Sequence, residues 1–360
     1  MKIATLRRIA VALVVTLVCL TLASCTGGTS TGGKTLVGIS MPTKSIQRWE
    51  TDGENMRKGF EDAGYATMVE FANDDTAQQV SQLENMINKG CKAIVVAAVD
   101  SVSLSSVLEQ AKNKGIFIIS YDRLLTDTPN VDFYVTFNNK KVGSEMALYV
   151  EKTLDLANAA GPINMEISSG PPSDNNAGLI YGGMMEVLQP YIDSGVVVIP
   201  SGQTTAEQTA IDNWELANSQ TRMENLLNGF YTDKKINIAI CANDTTGRGA
   251  ANAIIAAGYT PGAADYPIIT GQDCETASVQ YIIDGKQGMS IFKDTRTLGD
   301  QAIKATISLL NGTAPDQNDV SNNKVFDVPT YNCDLIAVTK DNYKEVLVDG
   351  GYYTLADLGL

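Results

Sequence analysis

Seven short β-rich runs of this chain end on residues that can hydrogen-bond. Lys44, Arg48 and Trp49 follow the run ending at Met41, and Asp122 and Arg123 follow Ser120. Asn138 and Asn139 follow Phe137, and Asp174, Asn175 and Asn176 come in the turn after Ile167. Asn243 and Asp244 follow Cys241, Gln272 and Asp273 follow Thr270, and Lys293 and Asp294 follow Phe292. Taken singly, an Asn or Asp after a strand reads as a turn or a helix cap. In open parallel sheets, however, ligands bind beyond the carboxyl ends of the strands, so agreement at seven ends points to a site. The mixture suits a neutral polyol. Each sugar hydroxyl both donates and accepts, and a buried hydroxyl left unpaired costs about 1–3 kcal/mol. Acceptors, donors and amides are therefore needed together. Trp49 and Trp214, the two tryptophans, offer flat apolar faces for a sugar ring, although Trp49 also fits a helix stripe.

Other chemistries find less support. The chain has no His, which removes Ser-His-Asp and Cys-His catalysis and His-based zinc sites. No CxxC spacing or calcium-loop pattern is present, so no metal or cofactor is expected. Gly247-Arg248-Gly249 opens like a dinucleotide loop, but Asn252 stands where the third glycine belongs. Glycoside hydrolysis needs two carboxylates about 5–10 Å apart. Asp122, Asp244 and Asp273 leave that possibility open by composition, although the reading adopted is a binder rather than an enzyme. The formal net charge of −14 opposes binding to nucleic acid.

The elements that would position these residues alternate. Strand candidates at 36–41, 67–72, 93–98, 116–120 and 133–137 are separated by helical patterns. Trp49, Met56, Phe60 and Ala63 form one buried stripe, and Val80, Leu83, Met86 and Ile87 another. The rhythm restarts with strand candidates at 163–167, 196–199, 236–241, 267–270 and 289–292, separated by helical segments. This pattern predicts an α/β fold of two similar doubly wound lobes with parallel sheets. The tail has strand-like runs at 325–328 and 335–338, and Pro329 argues against a single strand there.

The N-terminus sets the compartment. Lys2, Arg7 and Arg8 precede an apolar run ending in Leu22-Ala23-Ser24-Cys25, the pattern of a secretory signal too short to span a bilayer. It resembles the bacterial lipobox, so residues 1–24 are expected to be a lipoprotein signal and Cys25 the lipidated residue. Cleavage there leaves 336 of the 360 residues, and losing the three cations takes the charge from −14 to −17. Residues 25–34 read as a Gly/Ser/Thr-rich tether with a reach of roughly 15–17 Å over eight residues. Export permits disulfides. Cys241 and Cys274 are candidates for one, with buried free thiols the other reading.

The stretches Met41-Pro42-Thr43-Lys44 with Arg48-Trp49, Ser120-Tyr121-Asp122-Arg123, Asp174-Asn175-Asn176-Ala177, Gly271-Gln272-Asp273 and Ile291-Phe292-Lys293-Asp294 resemble the periplasmic sugar-binding proteins of ABC transporters, in their xylose-binding and multiple-monosaccharide-binding group. The likeness runs from about Leu36 to the end, including Val346 to Tyr353. It implies two lobes of periplasmic-binding-protein type I joined by three crossings. These are expected at Phe137–Asn139, near Gly288–Lys293 and around Val325–Val328. The N-terminal lobe would be 35–138 plus 290–326, and the C-terminal lobe 139–289 plus 327–360. By the same resemblance Arg48, Asp122, Arg123, Asn139, Asn175, Asp244, Asp273 and Lys293 would hydrogen-bond a sugar, with Trp49 and Trp214 stacking on it. Lys44, Asn176 and Asn243 are further carry-overs. Where such proteins usually read Phe-Asp-Asn, this chain reads Phe137-Asn138-Asn139, a lost charge that could shift sugar preference. The resemblance implies a monomer that takes an aldopentose or aldohexose of xylose, arabinose, glucose or galactose type to the membrane permease of an ABC importer. A sensor kinase or chemoreceptor is the alternative partner. Membrane contact would come only through the lipid.

Overall fold

The computed structural model describes residues 33–360. Residues 1–32, with the expected signal, Cys25 and most of the tether, lie outside the described residues. The body, Leu36–Leu360, begins with β1 (Leu36–Met41), α1 (Gln47–Asp62), β2 (Ala66–Phe71), α2 (Thr76–Lys89), β3 (Ala93–Val96), α3 (Ser105–Asn113), β4 (Phe117–Tyr121) and β5 (Phe133–Phe137). These elements follow the predicted periodicities. On α1 the buried stripe contains Trp49, Met56 and Phe60, whereas Ala63, expected in it, lies past the helix end and is exposed. On α2, Asp75 caps the first turn through Gln78 N, and Gly90 ends the helix at φ 85°.

The second set is α4 (Asn139–Leu154), β6 (Ile163–Ser168), α5 (Asn175–Asp193), β7 (Val197–Val198), α6 (Leu216–Phe230), β8 (Ile238–Cys241), α7 (Asp244–Ala256), β9 (Ile268–Ile269), α8 (Thr276–Ile283) and β10 (Met289–Lys293). The chain then adds α9 (Thr295–Leu310), β11 (Asp319–Asn322), β12 (Asp327–Cys333) and β13 (Leu335–Thr339). The first sheet has the order β11-β12-β5-β4-β3-β1-β2 and is parallel except at β11. The second runs β7-β6-β8-β9. It continues to the antiparallel pair β10-β13 through Gly288 N to Ile269 O (2.8 Å) and Ile291 N to Gly271 O (2.9 Å).

The lobe boundaries in the tail differ from expectation. Residues 327–333 belong to the first sheet, because β12 pairs with β5 from Thr330↔Tyr134 to Cys333↔Phe137. Pro329 sits inside β12 after all. The ladder to β5 starts one residue later, so its missing N–H costs no rung on that side. Conversely, Met289–Lys293 belongs to the second lobe, paired with β13 from Met289↔Thr339 to Lys293↔Leu335. The three crossings therefore follow Phe137, Lys293 and Cys333, and the third lies at Asp334 rather than at 325–328. Cys91, Cys241, Cys274 and Cys333 are all free and buried, so Cys241 and Cys274 form no disulfide.

Helices α4 and α5 present Asn139 and Asn175–Asn176 at their first turns, and they pack backbone to backbone. A Cβ at Gly143 would lie 1.9 Å from Ile180 O, and one at Gly183 would lie 2.0 Å from Lys140 O. Gly143→Ala should force the helices apart and cost about 1–3 kcal/mol, read as a lower denaturation midpoint. An unchanged midpoint would mean that this close packing does not contribute to stability.

Candidate functional site

The carboxyl ends of the strands face each other across the seam between the lobes. There Arg48, Trp49, Asp122, Arg123, Asp174, Asn176, Trp214, Asn243, Gln272, Asp273 and Lys293 line a tight cavity, with Ile46 beside them. One tryptophan comes from each lobe. Three of the lining residues hold left-handed backbones: Asp122 (φ 58°), Trp214 (φ 57°) and Asp273 (φ 92°). Non-glycine residues adopt this region only where the surroundings enforce it. Asp122 O accepts from Tyr134 OH (2.7 Å) and Thr136 Oγ1 (2.9 Å), while Asp273 N donates to Ile291 O (2.8 Å). Trp214 lies on the bare backbone of Gly170, where a Cβ would come 2.1 Å from the indole.

Arg48 is the centre of the charge network. It pairs with Asp52 (3.1 Å), Asp122 (2.9 Å) and, across the seam, Asp273 (3.0 Å). Arg123 reaches across to Asp174 (2.9 Å), whose same oxygen accepts from Trp214 Nε1 (3.1 Å). The guanidinium groups of Arg48 and Arg123 both stack on Trp49, at 4.6 and 5.1 Å from its centroid. Lys293 donates to Asn139 Oδ1 (3.0 Å) and lies over the Phe137 ring, tying two crossings together. Burial works to raise the Asp122 carboxyl, but Arg48, Lys293 and Arg123 outweigh it and hold the group below its usual value. The lining carries three cations (Arg48, Arg123, Lys293) against three carboxylates (Asp122, Asp174, Asp273). It is therefore matched to a ligand without net charge.

Several buried polar atoms here have no hydrogen-bond partner in the protein. They are Trp49 Nε1, Asn176 Oδ1 and Gln272 Oε1, together with Arg48 Nη2 and Asp122 Oδ2. The last two touch at 2.9 Å as an ion pair, but their angles miss those of a hydrogen bond. Donors and acceptors thus stand side by side without partners. A buried polar group is costly in that state, and a polyhydroxyl ligand would relieve it.

Four residues expected to contact ligand, Lys44, Asn139, Asn175 and Asp244, do not line the cavity. Lys44 is exposed, paired with Glu50 and lying over Phe71. Asn175 borders a separate surface groove, and its neighbour Asn176 points inward instead, donating to Asp122 Oδ1 (3.1 Å). Successive helical residues diverge by about 100°, so only one of the two can face the seam. Asp244 is fully buried behind Asn243, accepting from Glu275 N (2.8 Å), Gln287 Nε2 (2.9 Å) and Ser290 Oγ (2.7 Å). Asn139 stands behind Lys293 and supports it. Asn138, whose lost charge was expected to alter sugar preference, is exposed and caps α4 through Lys141 N (2.9 Å). Asp174 and Gln272, polar residues after strand ends with no contact expected of them, line the cavity.

Two lobes of parallel-sheet α/β architecture with a polar, charge-balanced cavity in their seam define an extracytoplasmic solute-binding protein. The chain belongs to the periplasmic binding protein family: the model described as "Periplasmic binding protein domain" matches residues 37–314. It is 44% identical to the multiple sugar-binding periplasmic receptor ChvE of Rhizobium radiobacter over 322 residues, covering 89% of this chain and 91% of that one. It is 33% identical to the D-xylose-binding periplasmic protein of Escherichia coli, covering 89% and 92%. Among solved structures, an ABC transporter solute-binding protein from Clostridium phytofermentans with bound β-D-glucose superposes with TM-score 0.87 at 45% identity, over 90% of this chain and all of that one. The chain is thus one of the sugar-binding proteins of ABC transporters, a receptor and not an enzyme.

Burial, then the nearby Glu275 carboxylate, pushes Asp244 up to about 8 from 3.8. A raised value means that the folded chain keeps a proton the unfolded chain has released. The stability this group contributes is full below about pH 4 and is lost as pH rises towards 8. The thermal midpoint should therefore fall more steeply between pH 5 and 8.5 in the wild type than in Asp244→Asn, which cannot titrate. Equal slopes would show that Asp244 is ionised throughout.

Proposed function

We propose that the chain is a lipid-anchored receptor that captures one aldopentose or aldohexose between its lobes and delivers it to the permease of an ABC importer. The observation carrying this reading is the seam cavity, with balanced charge, a tryptophan from each lobe and unpartnered donors and acceptors on its walls. The relatives' ligands, D-xylose in one case and β-D-glucose in another, support a monosaccharide. Bonds across the seam support capture by closure. Thr276 N donates to Gln47 Oε1 (3.2 Å), and Ser101 N donates to Ser173 O (2.9 Å). Domain closure around the ligand is the general behaviour of periplasmic binding proteins, which serve as a standard example of hinge motion. The anchor rests on Cys25 within Leu-Ala-Ser-Cys. Labelling with radioactive palmitate should mark the wild type and not Cys25→Ala.

Calorimetry and tryptophan fluorescence against D-xylose, L-arabinose, D-glucose and D-galactose test the ligand. At least one should bind and change the emission of Trp49 and Trp214. If none changes either signal, the sugar reading is lost. Asp122→Ala should abolish binding of that sugar while the protein stays folded, because it leaves Arg48 and the sugar hydroxyls unpaired. Asn176→Ala should weaken binding roughly ten-fold or more, whereas Asn175→Ala should change it less than about two-fold. The reverse order would place the wrong asparagine in the site.

A further inference from the structure

Position 52 on α1 falls within the helix's buried stripe, between Trp49 and Met56, where a hydrophobic side chain would be expected. The residue there is Asp52, with no solvent exposure. A buried carboxylate is costly unless it is paired and hydrogen-bonded. Asp52 is both. Arg48 Nε donates to its Oδ2 (3.1 Å) and Tyr121 OH donates to its Oδ1 (2.5 Å). Neither Asp52 nor Tyr121 lines the cavity.

We infer that Asp52 and Tyr121 are positioning residues for the sugar site, acting through Arg48. The inference rests on the sugar-receptor reading above. The guanidinium is a rigid planar fork, so a bond that fixes Nε–H also fixes where the two Nη groups point. With Nε held from beneath by Asp52, Nη1 is directed to Asp273 and Nη2 towards Asp122. The dipeptide Tyr121-Asp122 at the end of β4 serves both ends of this arrangement. The Tyr121 side chain reaches α1 beneath the guanidinium, and Asp122 meets the same guanidinium from the cavity side. Without the lower support, Arg48 can turn about its last side-chain bonds, and the ligand must fix that rotation at its own expense. Pre-organisation of this kind shows up as affinity.

The test uses the full chain with D-xylose, L-arabinose, D-glucose and D-galactose as probes. Calorimetry gives Kd, and the ¹⁵N-edited signal of the Arg48 Nε–H in the sugar-free protein reports whether that bond is held. Asp52→Asn should weaken binding by roughly ten-fold, the size of one coupling between contacting polar groups. It should also make the Arg48 Nε–H exchange faster with solvent. Tyr121→Phe should act in the same direction by about two- to five-fold, and it serves as the test if Asp52→Asn does not fold. Wild-type affinity in a folded Asp52→Asn would overturn the proposal. So would weakened binding with an unchanged Arg48 Nε–H signal, because the residue would then act by another route. If the wild type binds none of the four sugars, the receptor reading fails by itself, and the Nε–H signal still decides whether Asp52 holds Arg48.

Discussion

Arg48 carries the arrangement of this site. Its guanidinium is almost wholly buried and contacts three carboxylates, from its own helix, from the end of β4 and from the opposite lobe. A cation so placed is tolerable only if its counter-charges are held in fixed positions. The surrounding backbone holds them there. Asp122 and Asp273 keep left-handed conformations pinned by hydrogen bonds to neighbouring strands. The strain is small next to the cost of a buried charge left without a partner.

The two lobes share this network rather than dividing it. Arg48–Asp273 and Arg123–Asp174 each join a cation of the first lobe to a carboxylate of the second. A ligand in the seam meets both halves of each pair. Lys293, at the end of β10, extends the same electrostatic unit to the crossings through Asn139 and Phe137. The proposed ligand contacts and the crossings between the lobes are therefore adjacent, as the proposed capture by closure requires. Charge balance over the lining favours a neutral solute. The unpartnered donors and acceptors favour one that is rich in hydroxyls.

Much of this was legible in the chain. The strand–helix rhythm fixed the fold class, since apolar runs and stripes depend on periods that survive in any context. Of the eleven residues expected to contact ligand, Arg48, Trp49, Asp122, Arg123, Trp214, Asp273 and Lys293 do line the seam. Lys44, Asn139, Asn175 and Asp244 do not, and three of them sit beside or behind a residue that does. Asn175 yields to Asn176, Asp244 to Asn243, and Asn139 supports Lys293. A strand end identifies the neighbourhood, but the helix phase that follows decides which of two adjacent side chains turns inward.

By itself the sequence determined the alternating architecture and the polar character of the strand ends. Each depends on composition or on local period. The tertiary structure decided where the lobes cross, because the membership of β12 depends on its pairing with β5, 196 residues earlier in the chain. It also decided that an aspartate at a stripe position, Asp52, is a buried partner of Arg48 and Tyr121 rather than a surface charge. The Arg48–Asp52 pair is local, one helical turn apart, but the Tyr121–Asp52 bond and the β12–β5 pairing join residues far apart in the chain, and no local pattern encodes those.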